Sequence, residues 1–484
     1  MTRTPAEGRT HPGDTWSWAA ALALTAFFLA TSLYIAAHRL FWYDEVFTVL
    51  FARLPDVASI WRALLGGADL HPLPFYLVVR ASEAFFGRSE LAARLPSAVA
   101  MSAGLLVTFD CARRLTGGLF GLIALAALTC SFLPFYGYEA RPYALLFLFS
   151  ALILWLWLTT QAAGKGVAYA FGGLCLASAM VHVYAIFCLT PYAVYELLQR
   201  RRPSWKLIGG ALGTGLGLAL LTPQLLAGHR RVTHPSWWAR PSAADLQQIF
   251  ERFFPYGLFL FALVMLLATV IRFRVGWKMP PMPEGERIGW LFLLIPVAGY
   301  TLAATATQAF YERYFISALP GIAVALASLL HRHFAENPRV AAGILVLFTA
   351  LGVSHHAPHV IHPEQLQVFG DQQGETRELI AREQTFLKDG RNHIAVHVAH
   401  LAWLSAWYYS SHRERYVAIG EPDTVCRPLS QVEPTIHCWT GDELRQHARE
   451  TAVVWSLDEV QRALGSGLQV TLREAYPLQV FYLQ

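Results

Sequence analysis

Ten long stretches of this chain contain no Asp, Glu, Lys or Arg, and they follow one another through most of its length. They are Thr15–His38, Leu95–Phe109, Leu115–Tyr138, Pro142–Gly164, Gly166–Tyr195, Leu207–His229, Phe253–Ile271, Ile288–Tyr311, Tyr314–His331 and Val340–Pro363. A helix needs roughly 20 mostly apolar residues to cross the hydrocarbon core of a bilayer. One or two such runs fit inside a soluble core; ten in series do not. Only 15% of the 484 residues are charged, against about 25% in soluble domains. That leaves too little polar surface to wrap a soluble particle. The expected fold class is therefore mainly α, a polytopic membrane protein of about eleven transmembrane helices. The first run is too long for a cleavable signal, and no small-residue cleavage site follows it, so it reads as a retained helix.

Arginine and lysine clusters mark cytoplasmic helix ends. Here they are Arg3 and Arg9, Arg113-Arg114, Lys165, Arg200-Arg201-Arg202 with Lys206, Arg272-Arg274-Lys278, and Arg332 with Arg339. The formal net charge of +5 resides in these clusters and reads as topology, not as a surface for nucleic acid. With all of them inside, helix one runs outward over 17–37 and an outer loop occupies 38–94. Returning and outgoing helices follow at 95–112, 116–135 and 141–161. The stretch 166–198 then crosses twice, turning near His182 and Tyr184, and is the softest part of the helix count. A helix at 207–227 leads to a second outer loop at 228–252, whose Trp237-Trp238 suits an interfacial belt. Further spans are expected near 253–271, 288–308, 314–331 and 340–357.

The last 125 residues differ: 27 of them are Asp, Glu, Lys or Arg. Helical pattern at Thr376–Lys388, Leu401–Ser411 and Asp458–Leu464 alternates with strand pattern at Ile394–Val398, Tyr416–Ile419, Val470–Leu472 and Val480–Leu483. The expected domains are a transmembrane domain over 1–359 and a small extracytoplasmic α/β domain over 360–484. Cys111, Cys130, Cys175 and Cys188 fall in or beside apolar runs and read as small core residues. Cys426 and Cys438 lie in the tail, where an oxidising compartment would permit a disulfide.

The residues able to do chemistry sit at the outer helix ends. Past helix one come Phe41-Trp42-Tyr43-Asp44-Glu45. A carboxylate there either takes a proton from a hydroxyl nucleophile or caps an interfacial helix. In the same loop His71-Pro72-Leu73-Pro74-Phe75-Tyr76 opens an amphipathic stretch that runs to Phe86. His71 reads as a contact for phosphate, acceptor or metal, or as a structural helix-start histidine. Between helices three and four lie Glu139, Arg141 and Tyr143. Arg141 either pairs a phosphate or is neutralised by Glu139. Tyr311-Glu312-Arg313-Tyr314 offers a second arginine, for a phosphate or snorkelling to the interface. His182 with Tyr184 marks a fifth outer turn. His355, His356, His359 and His362 share helical spacing suited to a metal, although Pro358 and Pro363 are expected to interrupt that face.

In this order the pieces resemble the polyprenyl-phosphate-sugar-dependent glycosyltransferases of the glycosyltransferase C fold, such as protein O-mannosyltransferases and lipid A aminoarabinose transferases. The resemblance covers most of 16–360. It lies in the aromatic-Asp-Glu segment, the His-Pro-x-Pro-aromatic-Tyr segment, Glu-Ala-Arg-Pro-Tyr, the His-aromatic pair, and Arg313-Tyr314-Phe315 with Leu319-Pro320. It implies inverting transfer of a sugar from a polyprenyl phosphate to a hydroxyl of a lipid, glycan or protein acceptor, on the periplasmic face of the inner membrane. Asp44 would be the general base, with Glu45 assisting. Arg141, Arg313 and His71 would hold the donor phosphate. Tyr76, Glu139, Tyr143, His182, Tyr184 and Tyr314 would line the substrate site. The sequence has His-Pro-Leu-Pro where many relatives have adjacent prolines. A divalent metal is the one cofactor the resemblance allows, and no full ligand set is evident. The other reading is a polyprenyl-linked lipid flippase, which would place polar residues along a mid-membrane path. The apolar runs hold few.

Overall fold

The computed structural model describes residues 15–160, 164–199, 202–232, 239–253, 263, 266–271, 280–363, 367–368, 371–389, 394–398, 401–419, 427–440, 443, 451–454, 470–474 and 480–483. Its helices run in order α1 Thr15–His38, α2 Tyr43–Ala52, α3 Val57–Leu65, α4 Leu73–Phe86, α5 Glu90–Thr116 and α6 Gly118–Thr129. Then come α7 Tyr143–Thr159, α8 Lys165–Val181, α9 Thr190–Leu198, α10 Trp205–Val232 and α11 Ala243–Phe253. The rest are α12 Glu284–Leu291, α13 Leu294–Leu302, α14 Leu319–Phe334, α15 Pro338–Ile361, α16 Gln373–Asp389, α17 Leu401–Tyr409 and α18 Arg427–Val432.

Six stretches among the described residues are helical, long and apolar enough to cross a membrane: Thr15–His38, Glu90–Thr116, Trp205–His229, Glu284–Thr307, Glu312–Phe334 and Pro338–Ile361. Gly118–Thr129, Tyr143–Thr159, Lys165–Val181 and Val183–Leu198 are shorter apolar helices. The chain is a multi-pass membrane protein, and helices satisfy its backbone polar groups where water cannot. The helix expected at 253–271, Trp237-Trp238, Cys426 and the helix expected at Asp458–Leu464 fall largely or wholly outside the described residues.

Several apolar runs are broken helices. The run 166–198 breaks at His182, which is extended (φ −154°, ψ 133°) and accepts a hydrogen bond from the Tyr184 N–H through its ring. Short 3-10 turns at Leu133–Tyr138 and Glu312–Ala318 precede α7 and α14. Ala303–Thr307 forms a wide π turn closed by Gln308 at φ 53°. By contrast α15 runs straight through Pro358, correcting the expectation that this proline interrupts the histidine face. His356 there contacts the Thr31 hydroxyl at 3.3 Å and packs its ring against Phe28 and Tyr138.

The chain divides into two compact units. The first comprises Met1–Leu33, Ser97–Leu220 and Trp238–Ala357. Its helices meet through small residues, as membrane helices do where backbones approach closely. A Cβ on Gly213 would lie 2.0 Å from the Gly172 carbonyl oxygen, and one on Gly209 would lie 2.2 Å from that of Ala168. The seam between α8 and α10 therefore admits only hydrogen at these positions. Buried ion pairs close other helix ends. The Arg332 guanidinium donates to both oxygens of Glu286 at 2.5 and 2.7 Å, and Asp110 accepts from Arg113, Arg114 and the Trp155 indole.

The second unit comprises Tyr34–Pro96, Leu221–Trp237 and Pro358–Gln484. Helices α2 and α4 pack together, as do α2 and α17. Asp56 caps α3 through the Ser59 N–H, and Gly67, at φ 78°, turns the chain away from its end. Strands β1 Gln367–Val368 and β2 Asp371–Gln372 pair antiparallel, and four more form a parallel sheet: β3 Ile394–Val398, β4 Tyr416–Ile419, β5 His437–Trp439 and β6 Thr451–Val454, in the order β5-β4-β3-β6. Val470–Glu474 and Val480–Leu483 pair antiparallel as a hairpin. The tail is thus α/β, as its sequence pattern indicates. Cys438 is disulfide-bonded.

Candidate functional site

The second unit carries Asp44, Glu45, His71 and Tyr76. Trp42 is the N-cap of α2, so Asp44 is the second residue of the helix and Glu45 the third. Glu45 receives the Trp42 N–H at 3.2 Å, which is the side chain-to-backbone half of a capping box. The capping task falls to Glu45, and Asp44 is half-buried in the first turn beside it. Negative charge at these positions also complements the helix dipole.

Glu45 is fully buried between two arginines, Arg39 Nη2 at 2.8 Å and Arg94 Nη2 at 2.6 Å. Arg94 adds Nε to the other oxygen at 2.7 Å. Its remaining N–H groups donate to the carbonyls of Ala36, Arg39 and Leu40. Those carbonyls are at and just past the C-terminal end of α1, where helical partners run out. One guanidinium therefore ties the end of α1 to the start of α2 and fixes the first turn that bears Asp44.

Some residues of this unit carry no obvious motif. Asp69 joins the expected His71 and Tyr76: the Tyr76 hydroxyl donates to Asp69 Oδ2 at 2.6 Å, and His71 Nδ1 lies 3.5 Å from Asp69 Oδ1. Gln224 donates to the His71 carbonyl at 2.6 Å. Asp69 was findable as a carboxylate two residues before His71; Gln224, 153 residues away in sequence, had no local signal. Arg53, the C-cap of α2, grips both oxygens of Glu83 on α4 at 2.6 and 3.0 Å. Burial alone would lower its pKa, but Glu83 and Tyr408 outweigh that and raise it.

The first unit carries Glu139, Arg141, Tyr143, His182, Tyr184, Arg313 and Tyr314. Three motifs far apart in sequence converge here. The His182 ring lies 5.7 Å from Tyr143, 5.4 Å from Tyr314 and 5.9 Å from Tyr184. Tyr184 and Tyr314 are 5.2 Å apart. The Arg313 guanidinium sits over Tyr311 at 5.1 Å, Tyr143 at 5.4 Å and Tyr314 at 6.0 Å. Each ring face offers a cation–π contact to the guanidinium. Beside it, Arg252 on α11 pairs with Glu312 at 2.6 Å. Glu139 and Arg141 are buried, and the Arg141 carbonyl accepts from Ser97 at 3.1 Å. Among the described residues, no three His, Cys, Asp or Glu side chains gather to hold a metal ion.

Across 97% of this chain and 98% of the other, the structure superposes on apo ArnT from Cupriavidus metallidurans with a TM-score of 0.61 at 14% identity. The fold is that of ArnT. ArnT from the same organism bound to undecaprenyl phosphate matches over the same shares, with a TM-score of 0.57 and 16% identity. The ArnT likeness bears out the glycosyltransferase C fold expected from the order of the motifs. Residues 70–226 also match the sequence model of the dolichyl-phosphate-mannose-protein mannosyltransferase family. That segment includes His71, Tyr76, Glu139, Arg141, Tyr143, His182 and Tyr184. No curated protein sequence matches the chain significantly. The proteins this chain is similar to in fold and in segment are thus glycosyltransferases of the membrane.

Proposed function

We propose that the chain is an inverting glycosyltransferase that moves a sugar from a polyprenyl phosphate to a hydroxyl of a lipid, glycan or protein. The observation that carries this reading is the buried Arg313 guanidinium lying over Tyr143 and Tyr314, with His182 and Tyr184 packed against those rings. The undecaprenyl phosphate bound by a protein of the same fold supports the donor class.

In this reading the acceptor hydroxyl gives its proton to the Asp44 carboxylate. The acceptor oxygen forms a bond to the anomeric carbon from the side opposite the phosphate. The bond from that carbon to the phosphate oxygen breaks, and its electron pair leaves on the polyprenyl phosphate. Arg141 and Arg313 stabilise that charge, with His71 as a further phosphate contact. The phosphate is already a good leaving group, so orientation, a base and positive charge suffice. Glu45 acts through position: with Arg39 and Arg94 it holds the first turn of α2. Tyr76, Glu139, Tyr143, His182, Tyr184 and Tyr314 surround the substrates. No step in this scheme is routed through a metal.

The active face is assigned to the periplasmic side of the inner membrane. The arginine clusters support that orientation, and so does the bonded Cys438, since disulfides persist in oxidising compartments. The test is stereochemical. Purified chain is incubated with a panel of undecaprenyl-phosphate-linked sugars and a lipid acceptor extract, and the product's anomeric configuration is read by NMR. Inversion is expected. Retained configuration, or no transfer from any donor in the panel, would contradict the proposal.

A further inference from the structure

The tail takes no part in the chemistry just described, yet one of its helices holds the segment that carries Asp44. Helix α17 reaches α2 at both ends. At the approach to α2, the Tyr409 hydroxyl accepts the Phe41 N–H at 2.8 Å and donates to Glu90 at 2.8 Å. One phenol thus links the residues before α2 to the first turn of α5. At the far end, the guanidinium of Arg53, the C-cap residue of α2, donates to the Tyr408 hydroxyl at 2.5 Å. Between these points the Trp403 ring meets Tyr43, the residue before Asp44, at 6.5 Å, and Phe41 packs edge-on against Tyr408 at 5.7 Å.

A second tail helix backs this contact. Gln384 on α16 donates to the Tyr409 carbonyl at 3.2 Å, and Arg377 donates to the His38 carbonyl at the end of α1 at 2.7 Å. Four polar tail residues therefore contact or brace the segment 38–53. A solvated appendage tethered only by the chain would not need two adjacent half-buried phenols reaching both ends of α2. Burial raises the Tyr409 pKa well out of its usual range, so this hydroxyl keeps its proton for Glu90.

We infer that the C-terminal domain is a positioning element of the transfer site, with Tyr409 the residue through which it sets the orientation of the Asp44-bearing turn. This rests on Asp44 being the base. A base must lie within hydrogen-bond reach of the proton it takes, and misplacement by about 1 Å can cost on the order of 100-fold in rate. Tyr409 touches no reacting atom; it acts through Phe41 and Glu90.

The experiment compares full-length wild type, Tyr409→Phe, Tyr416→Phe and Asp44→Asn in transfer from an undecaprenyl-phosphate sugar. Tyr409→Phe keeps the ring and loses the bridge. Its kcat is expected to fall about 10- to 100-fold, with donor KM within about twofold of wild type. Tyr416→Phe removes a buried bond to Glu383 at 2.8 Å within the tail itself. It is the control for loss of tail stability and is expected to keep wild-type kcat. Wild-type kcat in Tyr409→Phe overturns the inference, as does an equal fall in both phenylalanine variants, which would mean that tail stability is what matters. Asp44→Asn separates the two claims. If it retains full turnover, the base assignment fails; if it is inactive while Tyr409→Phe is normal, only the positioning role fails.

Discussion

Arg94 spends every N–H of its guanidinium inside the protein, and two of them bind the two carboxylate oxygens of Glu45 at 2.6 and 2.7 Å. The other three close the end of α1. An adjacent Asp-Glu pair thus divides into two jobs. Glu45 is turned inward as an anchor, and Asp44 is left at the first turn that the anchor immobilises.

Glu45→Gln should therefore act first on stability. It leaves Arg39 and Arg94 buried with their shared charge partner gone. Breaking a buried ion pair from one side costs about 3–5 kcal/mol. The unfolding midpoint of the detergent-solubilised protein should drop sharply. An unchanged midpoint would contradict the anchor.

The glycine seam makes a sharper comparison. At Gly213 a methyl would meet the Gly172 carbonyl oxygen at 2.0 Å, while at Gly215 nothing lies within 4 Å. Gly213→Ala should lose folded protein, since overpacking costs about 1–3 kcal/mol or more when backbone must move. Gly215→Ala should be neutral or slightly stabilising by helix propensity. Size-exclusion profiles of the two variants check this, and equal profiles would argue against close packing of α8 on α10.

Arg313→Ala should weaken the donor more than the fold. Charge-assisted hydrogen bonds are worth about 1.5–3 kcal/mol, so the dissociation constant for undecaprenyl phosphate should rise about 10- to 100-fold. Arg313→Lys keeps the charge but not the planar fork that stacks on Tyr143 and Tyr311, and should fall between. Titration calorimetry reads both, and unchanged affinity in Arg313→Ala would remove the arginine from the phosphate site.

Legibility in the sequence followed the range of the interactions. Apolar runs report a local requirement of the bilayer, and each fully described run is mostly helical, several of them broken by a turn. Ile394–Val398 and Tyr416–Ile419 were readable because β-branched and aromatic residues cluster there. His437–Trp439 and Thr451–Val454 were not recognised. They are short, and their strand character comes from pairing with β4 and β3. The motif residues Tyr143, His182 and Tyr314 were visible one by one, but only the fold brings their rings together. Helix α2 is the interfacial helix that a capping carboxylate at this position implies, but the cap comes from Glu45, inside the helix, and not from Asp44. Pro358 points the other way: a proline is a helix breaker in sequence, yet α15 continues through it to Ile361. The grip of α17 on α2 pairs residues 368 apart and left no trace in either segment.

The most direct measurement is turnover of purified Asp44→Asn with an undecaprenyl-phosphate sugar donor, alongside donor binding by the same sample. General-base catalysis contributes about 10²–10⁴-fold, so transfer should fall by at least that range while the protein still folds and binds the donor with wild-type affinity. Wild-type turnover by Asp44→Asn would contradict the account at its centre.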